Sequence, residues 1–268
     1  MMKQRQWLSI LLLAALWTAC LAPGGTALAG APTLLVPPQA GAANGGTGTP
    51  VSLTATQQYE ANIFLSNFSE QGFASGTDAP FDTKAAGEAE LFSFAHRWAK
   101  INRRSAISYS GSYEVMTLAA VNEILERYLE GDCALNPAEG TDYSAALGMG
   151  HFDWDHCWYS GGCFYYPAAD GESYNCFTVV TEKLQYPNGL STLCFTVYEL
   201  DLSLYWEHNG IPAEYYRLTP AEAAQRTQKG EITPMRMGEA LCSPWLLTAQ
   251  NRESYRLLRY ELYPLDMD

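Results

Sequence analysis

Residues 174–202 read YNCFTVVTEKLQYPNGLSTLCFTVYELDL, and this stretch decides the fold class. Two runs rich in β-branched and aromatic residues, 174–186 and 192–202, flank a Pro-Asn-Gly turn at 187–189. Such runs on either side of a short turn are typical of paired antiparallel strands. The sequence therefore predicts a β-hairpin at the centre of the C-terminal half.

Further strands are predicted on both sides of this hairpin. Residues 163–167 form one strand, which an Asp-Gly turn at 170–171 joins to the hairpin, and residues 234–242 and 255–263 form the last two. A short helix at 219–228 precedes these last strands, because TPAE at its start is a capping box with proline at the first helical position. The C-terminal half is therefore predicted to be a mostly antiparallel sheet.

The N-terminal third has the periodicity of amphipathic helices. Apolar residues recur every three or four positions in 59–68, in 88–102 and in 112–129. Helices of this kind bury one face, so we expect them to pack on one another or on a sheet. The predicted fold class is α+β, with N-terminal amphipathic helices packed on a mostly antiparallel C-terminal β-sheet.

The foldable part is predicted to be a single domain at 57–268, with its helices in 57–130 and its sheet-rich part in 160–265. Roughly 210 residues is an ordinary size for one domain. The whole chain is 47% apolar and 13% aromatic, which is enough to build a hydrophobic core.

The first 29 residues predict export, because they have the pattern of a signal peptide. Lys3 and Arg5 give a positive start, and an apolar run follows at 7–17. This run is too short for a membrane span, which needs about 20 residues. The predicted location is therefore extracytoplasmic.

The end of the signal peptide has more than one interpretation. Cys20 closes a stretch that resembles a bacterial lipobox, in which the cysteine is lipidated, although Trp17 stands where a lipobox favours leucine. Cleavage at the small-x-small site at 27–29 would instead release a secreted protein. An uncleaved apolar anchor is a third possibility. We expect lipidation of Cys20, which makes the protein a cell-membrane lipoprotein.

The composition after the signal peptide predicts a tether and restricts the partners. Residues 30–56 are rich in Ala, Gly, Pro and Thr and carry no charge, which predicts a flexible linker. The net charge of −13 argues against nucleic-acid binding and against direct attraction to anionic lipid. We therefore expect membrane contact only through an N-terminal lipid, and an unknown ligand or cell-envelope component as the partner.

Six cysteines lie in the predicted domain, and an even number in an exported chain suggests disulfides. Cys157 and Cys163 flank a short loop with two glycines, so they are the predicted pair. Cys176 is not expected to pair across its hairpin, because the register places it opposite residues near 199. The alternative is that several of these cysteines are small buried apolar residues.

The sequence GHFDWDHCW at 150–158 concentrates possible metal ligands. His151, Asp153, Asp155 and His156 are residue types that bind Zn²⁺ or a similar ion. Their spacing matches no established metal motif, so a solvated loop held by hydrogen bonds is the alternative. A metal ion is the one cofactor that the sequence suggests, and no cofactor at all is the favoured expectation.

Aromatic residues are dense immediately after this stretch. The predicted ligand-binding residues are Trp154, Trp158, Tyr159, Tyr165 and Tyr166. Exposed aromatic rings near acidic groups are suited to recognition of sugars or peptides. The alternative is that these rings fill the core or cover the sheet.

No catalytic motif is present, so the sequence predicts no catalytic residue. The favoured hypothesis is a non-enzymatic surface protein that binds through the aromatic region. A second hypothesis is a secreted or surface hydrolase of cell-wall or dietary polymer, with or without a metal ion. A third is a structural envelope component without a small-molecule site.

Three segments carry a resemblance to a known group of proteins. They are ANIFLSNFSE at 61–70, AKIN at 99–102 and YRLLRYEL at 255–262. The chain resembles, over roughly 57–265, an uncharacterised family of exported bacterial proteins, many of which are called lipoproteins. The resemblance implies a bacterial, extracytoplasmic protein, and it implies no activity, since none is established for that family.

Overall fold

The computed structural model describes residues 47–73, 80–152, 154–168, 175–247 and 252–265, which all belong to one compact unit. These residues form five α-helices and two antiparallel sheets, so the predicted α+β class is confirmed. The predicted signal peptide, Cys20 and the linker as far as residue 46 lie outside the described residues.

The helices and strands alternate in blocks along the chain. The helices are α1 Ala55–Ser69, α2 Glu88–Asn102, α3 Leu118–Tyr128, α4 Leu202–His208 and α5 Pro220–Gln228. The strands are β1 Thr49–Pro50, β2 Phe81–Asp82, β3 Ser108–Ser110, β4 Tyr113–Thr117, β5 Trp158–Ser160, β6 Cys163–Pro167, β7 Cys176–Gln185, β8 Ser191–Leu200, β9 Ile232–Leu247 and β10 Arg252–Pro264.

The larger sheet has six strands in the order β1-β7-β8-β9-β10-β2. The predicted hairpin forms β7 and β8, and Cys176 lies opposite Glu199, as the turn position predicted. A bulge between Val180 and Glu182 interrupts this pairing. The hairpin therefore supplies two of the four long strands, and β9 and β10 add the other two.

The smaller sheet has four strands in the order β3-β4-β6-β5 and corrects one prediction. The segment 113–117 was expected to begin the third helix, but it is strand β4, which pairs with β6. Helix α3 begins only after it, where the Thr117 side chain accepts a hydrogen bond from the Ala120 backbone N–H. Pairing with β3 and with β6 outweighs the local helical pattern, because strand formation depends on the partner strands.

Helix α1 covers the outer edge of β7 with a polar stripe. Val180 donates its backbone N–H to Asn62 Oδ1 (2.8 Å), and Thr178 donates its backbone N–H to Ser66 Oγ (3.0 Å). Gln58 Nε2 donates to the Val180 carbonyl (2.8 Å). These side chains replace a neighbouring strand, which protects an edge that would otherwise pair with another chain.

The main core lies among α1, α2, α3 and both sheets. At its centre the Phe68 ring stacks on Phe94 (centroid distance 5.1 Å) and on Tyr260 (5.7 Å). The inner face of the smaller sheet packs on α2, where Phe92 stacks on Phe164 (4.4 Å). This contact fixes the smaller sheet, so its other face is the one turned away from the core.

Candidate functional site

Strand alternation divides the predicted aromatic residues between the two faces of the smaller sheet. Trp158 on β5 lies opposite Tyr165 on β6, and their rings stack at 4.9 Å with an interplanar angle of 3°. Tyr113 on β4 contacts the Trp158 ring edge-on at 4.7 Å. All three side chains are half-buried. We call this trio the outer aromatic face.

Tyr159 and Tyr166 point to the opposite, inner face. Tyr159 is buried and its ring contacts Phe164 at 5.1 Å, while Tyr166 lies over the His96 ring at 4.2 Å. Successive residues of a strand face opposite sides, so a run of neighbouring aromatic residues cannot form one surface. Burial therefore removes Tyr159 from contact with a ligand.

The inner face rests on a buried ion pair that the sequence did not reveal. His96 Nε2 lies 2.7 Å from Glu114 Oε2, and Lys100 Nζ lies 3.3 Å from the other carboxylate oxygen. Burial lowers the pKa of His96, and the hydrogen bond and negative charge of Glu114 oppose this shift. Burial alone would raise the pKa of Glu114, but the hydrogen bond from His96 and the neighbouring positive charges lower it.

A turn before β5 presents the most exposed aromatic pair of this region. Phe152 and Trp154 are 60% and 62% exposed, and their rings stack at 5.4 Å with an interplanar angle of 3°. The Asp155 backbone N–H donates to the Phe152 carbonyl (3.0 Å) and closes the turn. We call residues 148–157 the aromatic turn; Asp153 within it lies outside the described residues.

Ser144 holds the aromatic turn against the rest of the domain. Its hydroxyl accepts the Cys157 backbone N–H (2.9 Å) and donates to the Asp142 carboxylate (2.5 Å). Hydrogen bonds from the Ser144 hydroxyl and backbone lower the pKa of Asp142. Within the turn, the Gly150 backbone N–H donates to the Asp155 carbonyl (2.6 Å), and Gly150 has a φ of +87°, a left-handed conformation that favours glycine.

The same residues bring a serine, a histidine and an aspartate together without forming a catalytic triad. Ser144 Oγ lies 3.4 Å from His156 Nδ1, but the Asp142 carboxylate accepts from Ser144 rather than from the imidazole. In a triad the carboxylate orients the histidine, and the histidine takes the proton from the serine. Ser144 is also buried. The cluster therefore acts as a support for the turn.

The predicted metal ligands do not converge in the part of the chain that the structure describes. His151 is exposed, Asp155 is half-buried, and His156 is turned towards Ser144. No group of three or more His, Cys, Asp or Glu side chains among the described residues is arranged to hold a metal ion. Asp153, the fourth predicted ligand, lies outside those residues.

The structure does not bring the predicted disulfide pair together either. Cys157 and Cys163 are both free thiols. Cys163 lies opposite Ser160 on β5, whereas Cys157 precedes that strand by one residue, so the hairpin holds the two thiols at its opposite ends. Burial raises the pKa of Cys157 to about 12, which keeps this thiol protonated and unreactive.

Two buried carboxyl groups lie outside the predicted site. Tyr216 donates its hydroxyl to Glu70 Oε1 (2.6 Å), and burial raises the pKa of Glu70 to about 7. Burial and the neighbouring Glu261 raise the pKa of Glu239 to about 7 as well. Glu70 lies in ANIFLSNFSE, but nothing in that pattern distinguishes it from a solvent-facing acid. Its hydrogen-bond partner Tyr216 is distant in sequence.

Comparison with known proteins gives no relative for this chain. No protein-family model matches the sequence, no curated protein is similar to it, and no solved structure matches its fold. The resemblance to exported bacterial proteins therefore stays a prediction. In the described part of the chain, every helix is too short or too polar to span a bilayer.

Proposed function

We propose that this protein is an extracytoplasmic, membrane-tethered surface protein without enzymatic activity, and that it binds a ligand or envelope component through the aromatic turn. The predicted signal peptide, the uncharged linker and the resemblance to exported proteins support the location. We also propose that the amphipathic helices of the N-terminal half form one layer on the antiparallel sheet. The proposed binding function is based on the exposed aromatic residues of the domain.

The observation that carries the proposal is the exposed Phe152–Trp154 pair. Both rings are more than half exposed although they stack in parallel. Leaving such a ring in water forgoes about 2–3 kcal/mol of burial, so stability gives no reason for it. The Ser144 hydroxyl accepts the Cys157 backbone N–H and so anchors the end of the turn, which lowers the entropy lost on binding. The adjoining strand β5 carries Trp158 of the outer aromatic face.

The test is a double variant, Phe152→Ala with Trp154→Ala. A screen of defined oligosaccharides, peptides and small amines identifies compounds that raise Tm of the wild-type domain. We expect the double variant to lose that stabilisation while its own Tm stays close to wild type, because exposed side chains contribute within about 0.5 kcal/mol.

Trp206→Ala is the matched control. Trp206 is 67% exposed but lies on α4, outside the aromatic turn and the smaller sheet. This variant should keep every ligand-induced shift. If Trp206→Ala abolished the shift and the double variant kept it, the assignment of the site to the aromatic turn would be wrong.

A further inference from the structure

A cleft at the start of α1 lies outside the aromatic turn. Its volume is about 330 Å³, and it is lined by Ala55, Thr56, Tyr59, Glu60 and Arg217. The first four residues belong to α1, and Arg217 ends the short helical turn Tyr215–Arg217. Sites for small molecules have volumes of about 300–1,000 Å³, so this cleft has room for one small ligand. We call it the Arg217 cleft.

The backbone on both sides of Arg217 is fixed to α1. Asn62 Nδ2 donates to the carbonyls of Tyr216 and Leu218 (3.0 Å each), which are the neighbours of Arg217 in the chain. The Arg217 guanidinium lies 4.3 Å from the centre of the Tyr59 ring. A cation is attracted to the face of an aromatic ring, so this contact orients the guanidinium before any ligand binds.

The Arg217 guanidinium forms no ion pair with any carboxylate of the described residues. Arg226 provides the contrast. Its guanidinium also lies over a tyrosine ring, that of Tyr215 (5.1 Å), but Arg226 Nη1 lies 2.5 Å from Glu231 Oε2 as well. The N–H donors of Arg217 are therefore available to an anionic group from outside the chain.

Glu60 places a carboxylate on the same cleft. Glu60 repels a purely anionic ligand and Arg217 repels a purely cationic one, whereas a zwitterion is attracted to both. A zwitterion also carries no net charge, so the net charge of −13 of the chain does not repel it. The opposite charges on one small cleft therefore select a ligand with both an anionic and a cationic group.

We propose that the Arg217 cleft binds an α-amino acid, whose carboxylate accepts hydrogen bonds from the Arg217 guanidinium and whose ammonium group pairs with Glu60. A guanidinium presents parallel N–H groups that match the two oxygens of a carboxylate. The small volume of the cleft favours amino acids with short side chains. This binding is independent of the proposed function of the aromatic turn, because the two sites share no residue.

Isothermal titration calorimetry of the whole protein with three probes tests the ligand class. The probes are L-alanine, L-alaninamide, which lacks the carboxylate, and N-acetyl-L-alanine, which lacks the ammonium group. We expect alanine to bind about tenfold more tightly than either analogue, because each analogue leaves one charged side chain of the cleft without its partner. Equal affinity for all three probes, or no saturable binding of alanine, would overturn the proposal.

Two variants that each remove one charge test the site. Arg217→Gln should bind alanine and alaninamide with similar affinity, and Glu60→Gln should bind alanine and N-acetylalanine with similar affinity. Arg236→Gln and Glu207→Gln are the matched controls, since each removes the same charge from an exposed position outside the cleft and should keep wild-type affinity for alanine. Wild-type affinity of Arg217→Gln for alanine would contradict the site. The double variant of the aromatic turn should bind alanine normally, so the failure of either proposal leaves the other intact.

Discussion

Glu239 lies in surroundings that disfavour its negative charge. It is 6% exposed on β9, and it lies directly opposite Glu261 on β10. Like charges in register repel each other, and burial removes the water that would stabilise a carboxylate. Burial first and Glu261 second raise the pKa of Glu239 to about 7 from its ordinary 4.5. Between about pH 4.5 and pH 7, the folded protein therefore keeps a proton on Glu239 that the unfolded chain has already released.

The pH dependence of stability follows from this difference. A raised pKa stabilises the folded state fully below the ordinary value of 4.5, and this contribution is lost as pH rises through about 7. Its full size is of the order of 3 kcal/mol. We predict that Glu239→Gln, which cannot ionise, gains stability relative to wild type as pH rises from about 5 to about 8.

Urea denaturation at the two pH values measures the effect. Glu207→Gln is the control, because Glu207 is exposed and its removal should shift stability equally at both pH values. A Glu239→Gln variant whose difference from wild type is the same at both pH values would show that Glu239 ionises normally in the folded protein.

At the scale of elements, α1 shows what a periodic pattern can and cannot predict. The apolar residues of 59–68 predicted a helix, and α1 confirms it. The polar positions Gln58, Asn62 and Ser66 recur at the same helical spacing, and all three are buried against β7. These side chains bond the backbone of β7, so their role depends on where β7 lies in the sheet. The residues near α1 in sequence do not specify that position.

Asn62 is the centre of this contact between α1 and β7. It accepts from the Val180 backbone N–H, and its Nδ2 donates to the carbonyls of Tyr216 and Leu218 (3.0 Å each). Asn62→Ala leaves these backbone groups buried without partners, so we expect a loss of about 2–4 kcal/mol in the free energy of unfolding. Thr56→Ala, on the exposed side of α1, should change it by less than about 0.5 kcal/mol. A small effect of Asn62→Ala in chemical denaturation would mean that water satisfies the β7 edge.

Most elements were predicted from local signals, and β4 is an exception. Periodicity predicted α2 at 88–102, and the capping box predicted α5 from Thr219 to Gln228, both as found. Strand β4 was assigned to a helix because its apolar spacing also fits one, and its pairing with β3 and with the distant β6 decides the outcome. For the same reason the sequence located the aromatic region but could not separate Trp158 and Tyr165 from Tyr159 and Tyr166, or add Tyr113.

At the scale of the whole molecule, the arrangement of the two sheets explains why the candidate site lies outside the main core. The larger sheet, with α1 on its β7 edge, contributes most strands to the main core. The smaller sheet packs one face on α2, so its second face and the adjoining turn are available for contacts that the fold does not require. The exposed Phe152–Trp154 pair lies in this accessory part, where a ligand could bind without disturbing the core.

At the same scale, we predict that the whole molecule is attached to the cell through its N-terminus. The structure describes β1 and the chain that follows it, and residues 21–46 carry no charge, as expected of a linker behind an anchor. We predict a mature N-terminus at Cys20 that carries lipid, so that the protein fractionates with the membrane through its acyl chains. Cys20→Ser should move it out of the membrane fraction and leave the Tm of the domain unchanged. Intact-mass measurement decides the matter: an unlipidated N-terminus near Gly30 in the wild type would contradict the tether and favour free secretion.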